Sequence, residues 1–194
     1  MVVRSAAGTV TAGRSTKIAI RDAAIELFAS KGFEQSSLRE VADAVGITKA
    51  SLYYHYASKV DLLEAIIEPV VDDMRTLVES LDARVYSAAS VRAVLTEHLR
   101  SSLSHRTAGT LCMRDTVAIL NALGDRYPDL IEMSRRLCTW LAGPAAGDEA
   151  VLRAHAAVQV LGAALVSGDS VPDASEELIE RVLLDAALGV LSPE

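Results

Sequence analysis

The stretch GITKASLYYHYASKVDLL, residues 46–63, concentrates side chains that the rest of the chain uses sparingly. Between Lys49 and Lys59 it holds three of the five tyrosines, one of the four histidines and two of the lysines of a 194-residue protein. Hydroxyl, imidazole and ammonium groups are the donors with which proteins hold phosphate oxygens. The cluster therefore predicts a surface that binds a phosphate-rich partner.

Local helix signals place this cluster on a helix-turn-helix. Residues 37–40 read Ser-Leu-Arg-Glu, a capping box that opens a short helix. Gly46 ends that helix, and Thr48 can cap the next one, which holds Lys49 to His55. Two short helices joined by a glycine-containing turn are typical of the helix-turn-helix, whose second helix enters the major groove of DNA.

The candidate DNA contacts lie at the starts of the helices around this turn, where hydroxyls, ammonium groups and free backbone N–H groups meet. They are Ser36, Ser37, Thr48, Lys49, Ser51, Tyr53, Tyr54, His55 and Lys59. Leu52 is expected in the core. Packing between helices is the alternative role for Tyr56, and also for Tyr53 or Tyr54, although two adjacent positions cannot both face inward.

The distribution of charge also sets this region apart. The whole chain has 19 basic and 26 acidic residues, a net charge of -7. Residues 1–60 hold eight basic and five acidic residues, whereas residues 61–194 hold 11 basic and 21 acidic ones. A segment of net +3 on a body of net -10 indicates a basic binding module on an acidic body. A chance distribution of surface charge is the alternative.

The chain as a whole reads as all-α. We expect a disordered tail at residues 1–13, a DNA-binding domain at residues 14–60 and a second helical domain at residues 61–194. A first helix at about 15–30 and a long helix from about residue 59, kinked at Pro69, are predicted from apolar periodicity. Further helices are predicted near residues 88–105, 107–123, 128–142, 147–167 and 174–191.

Residues 25–63, IELFASKGFEQSSLREVADAVGITKASLYYHYASKVDLL, resemble the DNA-binding domain of TetR-family transcriptional repressors. The matching positions are Phe28, Lys31-Gly32-Phe33, Ser36-Ser37, Val41-Ala42, Val45-Gly46-Ile47-Thr48, Leu52-Tyr53-Tyr54-His55-Tyr56 and Ser58-Lys59. Ala50, Tyr56 and Val60 depart mildly from the family pattern. The resemblance covers about 40 residues of the chain.

This resemblance implies an all-helical homodimer of about nine helices. Residues 1–12 lack the apolar region of a signal peptide, so we also expect a cytoplasmic protein. Its three N-terminal helices would bind a palindromic double-stranded DNA operator, with Ser36, Lys49, Tyr53, Tyr54 and Lys59 among the contacts. Its C-terminal helices would form a pocket for a small-molecule effector that releases the DNA. The last two helices would form the dimer interface.

The two terminal helices independently support a dimer, because they are apolar over a wide arc and so can bury one face in the core and another against a partner. A core helix of a monomer is the alternative. The candidate interface residues are Val151, Val158, Leu161, Gly162, Leu165, Leu178, Ile179, Val182, Leu183 and Ala186.

Candidate pocket residues combine apolar and polar character, as small-molecule sites do. They are Met74, Leu77, His98, Ser102, Met113, Thr116, Val117, Leu120, Trp140, His155 and Gln159. Ordinary core packing is the alternative for each of them. The scarcity of aromatic residues in the body favours a medium-sized, fairly apolar ligand over a large planar one.

Other function classes find no support in the sequence. The motifs GxSxG, HExxH, GxGxxG and the Walker A loop are absent, so we expect no enzyme, no cofactor and no catalytic residue. The four histidines lack metal-ligand spacing, so we expect no metal site. We also expect no membrane-spanning segment. A ligand-independent DNA-binding protein, acting as an architectural factor or co-regulator, is the alternative to a ligand-responsive repressor.

Overall fold

The computed structural model describes the backbone of residues 7–191 and the side chains of residues 15–168 and 170–191. Within this range the protein is built from α-helices, with two short 3-10 turns and no strand, which confirms the all-α prediction. The helices are α1 (Ala7–Lys31), α2 (Leu38–Val45), α3 (Lys49–His55), α4 (Lys59–Ser80), α5 (Ala88–Ser104), α6 (Arg106–Arg114), α7 (Thr116–Leu123), α8 (Leu130–Ala142), α9 (Asp148–Gly162), α10 (Ser167–Ser170) and α11 (Glu176–Leu191).

The chain forms two compact units, and their boundary differs from the expected one at residue 60. The first unit extends to Ile67 and also includes Leu111–Gly124, whereas the second holds Glu68–Thr110 and the chain from Asp125 onward. The boundary lies further along α4 because the first turns of this helix are apolar and buried, as Leu63 and Ile66 show. Helix α4 runs without interruption through Pro69.

The first unit has a core built on one face of α1. Ile20, Ala24 and Phe28, at the i, i+4, i+8 spacing of a helix face, are fully buried or nearly so. Phe28 meets Phe33 edge to face, with ring centroids 5.3 Å apart. Leu52 of α3 is also fully buried. Helix α3 is therefore anchored in the first unit by its apolar side.

Helix α1 begins at Ala7, so residues 7–13 are helical where a disordered tail was expected. Gly8 and Gly13 suggested an irregular segment. A glycine inside a helix costs only about 1 kcal/mol relative to alanine, and neighbouring residues with better helix propensity can offset this cost. The remaining residues assigned to the tail, 1–6, lie outside the described part of the chain.

The segment predicted as one helix over residues 107–123 is two helices, α6 and α7, separated at Asp115. The carboxylate of Asp115 accepts a hydrogen bond from the backbone N–H of Phe33, with 2.6 Å between Oδ2 and N. This partner lies 82 residues away in sequence. A partner so distant leaves no local pattern, which is why the break was not predicted.

The second unit is a helical bundle in which α5, α8, α9 and α11 pack on one another. Helix α9 buries Ala154, Ala157 and Leu161, so small side chains allow its neighbours to approach closely. Asp148–Val166 is the one described run whose length and composition would suit a membrane span, and 22% of it is buried in the protomer. Its buried side belongs to the core of this unit.

Candidate functional site

The helix-turn-helix is built by local capping as the sequence predicts. The Ser37 hydroxyl accepts from the Glu40 backbone N–H at 3.3 Å, and the Ser37 N–H donates to Glu40 Oε2 at 2.9 Å. Gly46 ends α2 in the left-handed region, at φ 74°. The Thr48 hydroxyl then accepts from the Ser51 N–H at 3.1 Å and starts α3. These bonds fix the angle at which α3 leaves the turn.

Helix α3 has one side in the core and one side in solvent. Leu52 and Tyr56 are buried, so packing between helices is where the structure places Tyr56. Tyr53 is 45% exposed and Tyr54 is 87% exposed. The ammonium of Lys49, also exposed, lies 5.5 Å from the centroid of the Tyr53 ring. The exposed side of α3 thus offers two phenolic hydroxyls and an ammonium group next to one another.

Lys59 points its ammonium group into the protein rather than into solvent. Its Nζ donates to the backbone carbonyls of Phe33, Glu34 and Ser36 at 2.9, 3.2 and 3.1 Å. It also lies 4.4 Å from the centroid of the Phe33 ring. An ammonium has three donors, and all three are used here. The geometry makes Lys59 a support of the turn between α1 and α2, which is a different role from the expected phosphate contact.

Ser36 is buried, and its hydroxyl donates to the Gly32 carbonyl at 2.6 Å. Its side chain therefore stabilises the same turn and is not available to a phosphate. The Ser37 hydroxyl is exposed but bonded to Glu40. His55 is half-buried and meets the Tyr54 ring edge to face, with centroids 5.3 Å apart.

Two residues that support this surface were not predicted, because they come from a distant segment. Asp115 accepts from the Phe33 N–H, and its carboxylate packs against Gly32, where an added Cβ would lie 3.4 Å from Oδ2. Arg114 Nη1 donates to the Ala29 carbonyl at 2.6 Å. The end of α1 and the turn after it are thus held by the junction between α6 and α7. No sequence signal marks this pairing.

The candidate pocket residues separate into several places. Met74, Leu77, His98 and Ser102 line one cavity of about 290 Å³ between α4 and α5, in the second unit. The other candidates do not join them. Met113, Thr116 and Val117 border an open recess in the first unit, and Leu120 is exposed on the same helix α7.

The remaining pocket candidates lie elsewhere in the second unit. Trp140 packs edge to face on Tyr86 at 5.5 Å and lines an open groove of about 420 Å³. His155 and Gln159 are on the exposed face of α9. Periodicity identifies the faces of a helix but does not say which faces of different helices meet, and this is why the eleven residues lie in several separate places.

The terminal helices do carry exposed apolar faces, although not with all the expected residues. Leu161 and Ile179 are buried inside the protomer. Leu178, Val182 and Ala186 are exposed on one side of α11, while Val151, Val158, Gly162, Leu165 and Leu183 are half-buried. On α9 the exposed stripe consists of Leu152, Ala156 and Gln159, and Ala163 is exposed in the 3-10 turn directly after this helix. Leu152 is 69% exposed.

Known proteins resemble this chain both in the helix-turn-helix and in the overall fold. The family model "Bacterial regulatory proteins, tetR family" matches residues 20–66. The HTH-type transcriptional repressor KstR2 of Rhodococcus jostii is 37% identical over 127 residues, which is 61% of this chain and 61% of that protein. The HTH-type transcriptional regulator UidR of Escherichia coli is 26% identical over 186 residues, 94% of this chain and 83% of that protein. The chain thus spans about three fifths of the KstR2 repressor's length.

A solved structure extends the likeness to most of the fold. The crystal structure of Mycobacterium smegmatis AmtR superposes with a TM-score of 0.72 and 25% identity, over 90% of this chain and 85% of that one. The family match covers α2, α3 and the capped turn described above. Residues 20–66 thus form a DNA-binding domain of the tetR family of bacterial regulatory proteins.

Proposed function

We propose that this protein is a repressor that binds a palindromic DNA operator as a homodimer and releases it when a small molecule occupies the second unit. One observation carries the DNA-binding part. Tyr53, Tyr54 and Lys49 project from the exposed side of a helix whose other side is anchored by the buried Leu52. The similar protein KstR2 is a transcriptional repressor, which supports repression over activation as the role of this chain.

The proposed contacts divide into those that touch DNA and those that hold the surface in place. Lys49, Tyr53 and Tyr54 are the principal contacts, since their polar groups face solvent. Ser37, Thr48, Ser51 and His55 lie around them, at helix starts or on α3, and contribute to phosphate binding. Lys59 and Ser36 act as positioning residues, because their donors are bonded within the α1–α2 turn. Base contacts specify sequence, whereas phosphate contacts set the register.

The proposed dimer places two copies of α3 on one duplex. The exposed stripes of α9 and α11 supply the apolar surface that a second copy would cover. A two-fold dimer requires a pseudo-palindromic operator with half-sites about 34–36 Å apart, one helical turn of DNA. Such a protein acts in the cytoplasm, where the DNA is.

The proposed release by ligand depends on α4. This helix is continuous through the division of the two units, and its residues Met74 and Leu77 line the cavity between α4 and α5. A ligand changes DNA affinity only if it binds the DNA-competent and DNA-free states with different affinity. Filling the cavity would favour one conformation of α4, and the first turns of this helix belong to the first unit. The cavity also argues against the ligand-independent alternative, for which we would expect a fully packed body.

Selection from random-sequence DNA tests the proposal without knowledge of the operator. The full-length protein is used to enrich duplexes, and the enriched sites are sequenced and titrated in gel shifts with a light-scattering measurement of stoichiometry. The proposal predicts inverted half-sites one turn apart, bound by two protomers, with affinity that falls steeply as salt rises. Failure to enrich any sequence, or enrichment of a single half-site bound by one protomer, would contradict it.

A further inference from the structure

The cavity between α4 and α5 has an apolar side and a polar side. Met74 and Leu77 give it an apolar wall, whereas His98, Ser101 and Ser102 give it a polar one. Its volume of about 290 Å³ is at the lower end of the range for small-molecule sites. The cavity therefore suits a compact molecule with one apolar end and one polar end.

His98 is the one histidine among the lining residues of this cavity. The residue is half-buried, and its side chain lines the cavity. Desolvation lowers its pKa, which favours the neutral ring. No hydrogen bond to either ring nitrogen is found among the described residues, and the nearby Ser102 hydroxyl donates to the backbone carbonyl of His98 at 3.0 Å. A neutral ring has one acceptor and one donor to offer a ligand.

The charged groups around the cavity select against a negative ligand. Asp73 Oδ2 accepts a hydrogen bond from the Ser101 hydroxyl at 2.8 Å. The same oxygen lies 3.2 Å from His105 Nε2. Among the described side chains, no partner is found for Asp73 Oδ1.

The permanent cation at this site is already neutralised. Arg84, the one lysine or arginine among the lining residues, donates both Nη groups to Glu97 at 2.9 and 2.7 Å and its Nε to Ser80 at 3.1 Å. A ligand carboxylate or phosphate would find no free guanidinium there and would face the carboxylate of Asp73. Unpaired like charges are a strong means of rejecting a ligand.

We propose that this cavity selects a small neutral or cationic molecule that carries a hydroxyl or amine, and that it rejects anions of the same size. The hydroxyl or amine of the ligand donates a hydrogen bond to His98, and an amine also pairs with Asp73. The apolar end of the ligand covers Met74 and Leu77. This inference rests on the proposed effector role of the cavity and names the class of effector. It replaces the mainly apolar ligand that the sequence suggested.

Three matched probes test this selectivity: phenethylamine, phenethyl alcohol and phenylacetate share one ring and nearly one size. Each is titrated into the full-length protein without DNA, and binding is followed by ligand-observed NMR. We expect the amine and the alcohol to bind on the order of tenfold more tightly than the carboxylate, because only the carboxylate brings an unpaired like charge. Equal or tighter binding of phenylacetate, or no saturable binding of the amine and alcohol, overturns the inference.

Two variants and a control assign the binding to this cavity. Asp73→Asn should reduce the affinity for phenethylamine on the order of tenfold and leave that for the alcohol within about twofold, since only the amine loses a charged partner. Asp72→Asn makes the same change of charge one position away, at a residue that pairs with Arg75 and does not line the cavity. It should change neither affinity. His98→Phe should weaken both probes. Equal behaviour of the two aspartate variants would contradict the assignment.

A final arm separates this inference from the proposed function. Phenethylamine at a saturating concentration is added to the protein bound to its selected DNA site. Release of DNA by the wild type but not by Asp73→Asn supports both proposals. Binding of the amine with no release leaves the selectivity of the cavity standing and contradicts its effector role. Failure of the protein to bind DNA contradicts the proposed function alone, because the titration without DNA still decides the inference.

Discussion

Lys49 and Lys59 carry the same ammonium group in very different surroundings. The Lys49 side chain lies in solvent beside Tyr53. The Lys59 ammonium is bonded to three backbone carbonyls of one turn. A hydrogen bond that involves a charged group contributes about 1.5–3 kcal/mol to stability. An exposed lysine contributes little to the free energy of folding. We therefore expect the two lysines to affect different measurements.

Matched substitutions of the two lysines test this difference. Lys59→Met keeps the apolar stem and removes the donors, so it should lower the free energy of unfolding by about 2 kcal/mol. Lys49→Met should change stability by less than about 0.5 kcal/mol. It should weaken operator binding on the order of tenfold and reduce the salt slope by about 1. Denaturant unfolding and DNA titration measure the two effects, and an unchanged stability of Lys59→Met would refute its positioning role.

Glu40 provides a prediction about pH. Hydrogen bonds from Lys31, the larger cause, and from Ser37 lower the pKa of Glu40 from 4.5 to about 2. Because the carboxylate is favoured in the folded state, its contribution to stability is present above about pH 4.5 and is lost as pH falls toward 2. Glu40→Gln should therefore lower the melting temperature at pH 7, and the gap to wild type should close near pH 2. Lys31→Met should follow the same trend, and a gap independent of pH would contradict this cause.

At the scale of helices, the turn between α1 and α2 is held from two directions. Lys59 at the start of α4 binds its carbonyls, and Asp115 between α6 and α7 binds its Phe33 N–H. Gly32 adopts φ 91° in this turn, a left-handed conformation that favours glycine over residues with a side chain. The turn leads directly into α2 and so sets the base on which α3 is mounted.

Removing the Asp115 carboxylate should loosen this turn. Asp115→Ala leaves the Phe33 N–H without its acceptor and should cost about 1–3 kcal/mol of stability. Asp115→Asn keeps an acceptor of the same shape and should cost less than half as much. Hydrogen exchange of the Phe33 amide measures the effect at its source. Unchanged protection of this amide in Asp115→Ala would show that the bond does not hold the turn.

At the scale of the whole molecule, the exposed stripes of α9 and α11 are apolar surfaces that a single chain leaves uncovered. Leu152 and Ala156 are exposed on α9, and Leu178 and Val182 are exposed on α11. Both helices belong to the second unit and pack on one another. Adjacent apolar stripes of this kind are characteristic of protein interfaces. A second copy is the occupant that the proposed palindromic operator would require.

Charge placed on these stripes should separate the proposed dimer. Leu152→Glu or Val182→Glu would bury an unpaired carboxylate in the interface and should raise the dimer dissociation constant by roughly a hundredfold or more. Val117→Glu is the matched control, because Val117 is 73% exposed on α7 and outside these stripes. Sedimentation velocity measures the outcome. Dimers that persist in both stripe variants, or dissociate in the control, would place the interface elsewhere.

The sequence predicted those features that depend on neighbouring residues. The Ser37 cap, the Gly46 helix end and the inward Leu52 follow from local capping and periodicity, and all three occur as expected. The role of Lys59 could not be assigned from the sequence, because an ammonium group can donate to a phosphate or to backbone carbonyls equally well. The division between α6 and α7 depends on the distant Phe33. His98 and His155 lie in different places because helices of similar apolar pattern face different neighbours.

The measurement that tests the central claim most directly is the affinity of Tyr54→Ala for the selected operator and for random DNA. If α3 reads the bases, the loss of its most exposed aromatic contact should weaken operator binding roughly tenfold to a hundredfold. Binding to random DNA should stay within about twofold. Operator affinity equal to that of wild type, or an equal loss on both DNAs, would contradict the assignment of α3 as the reading helix.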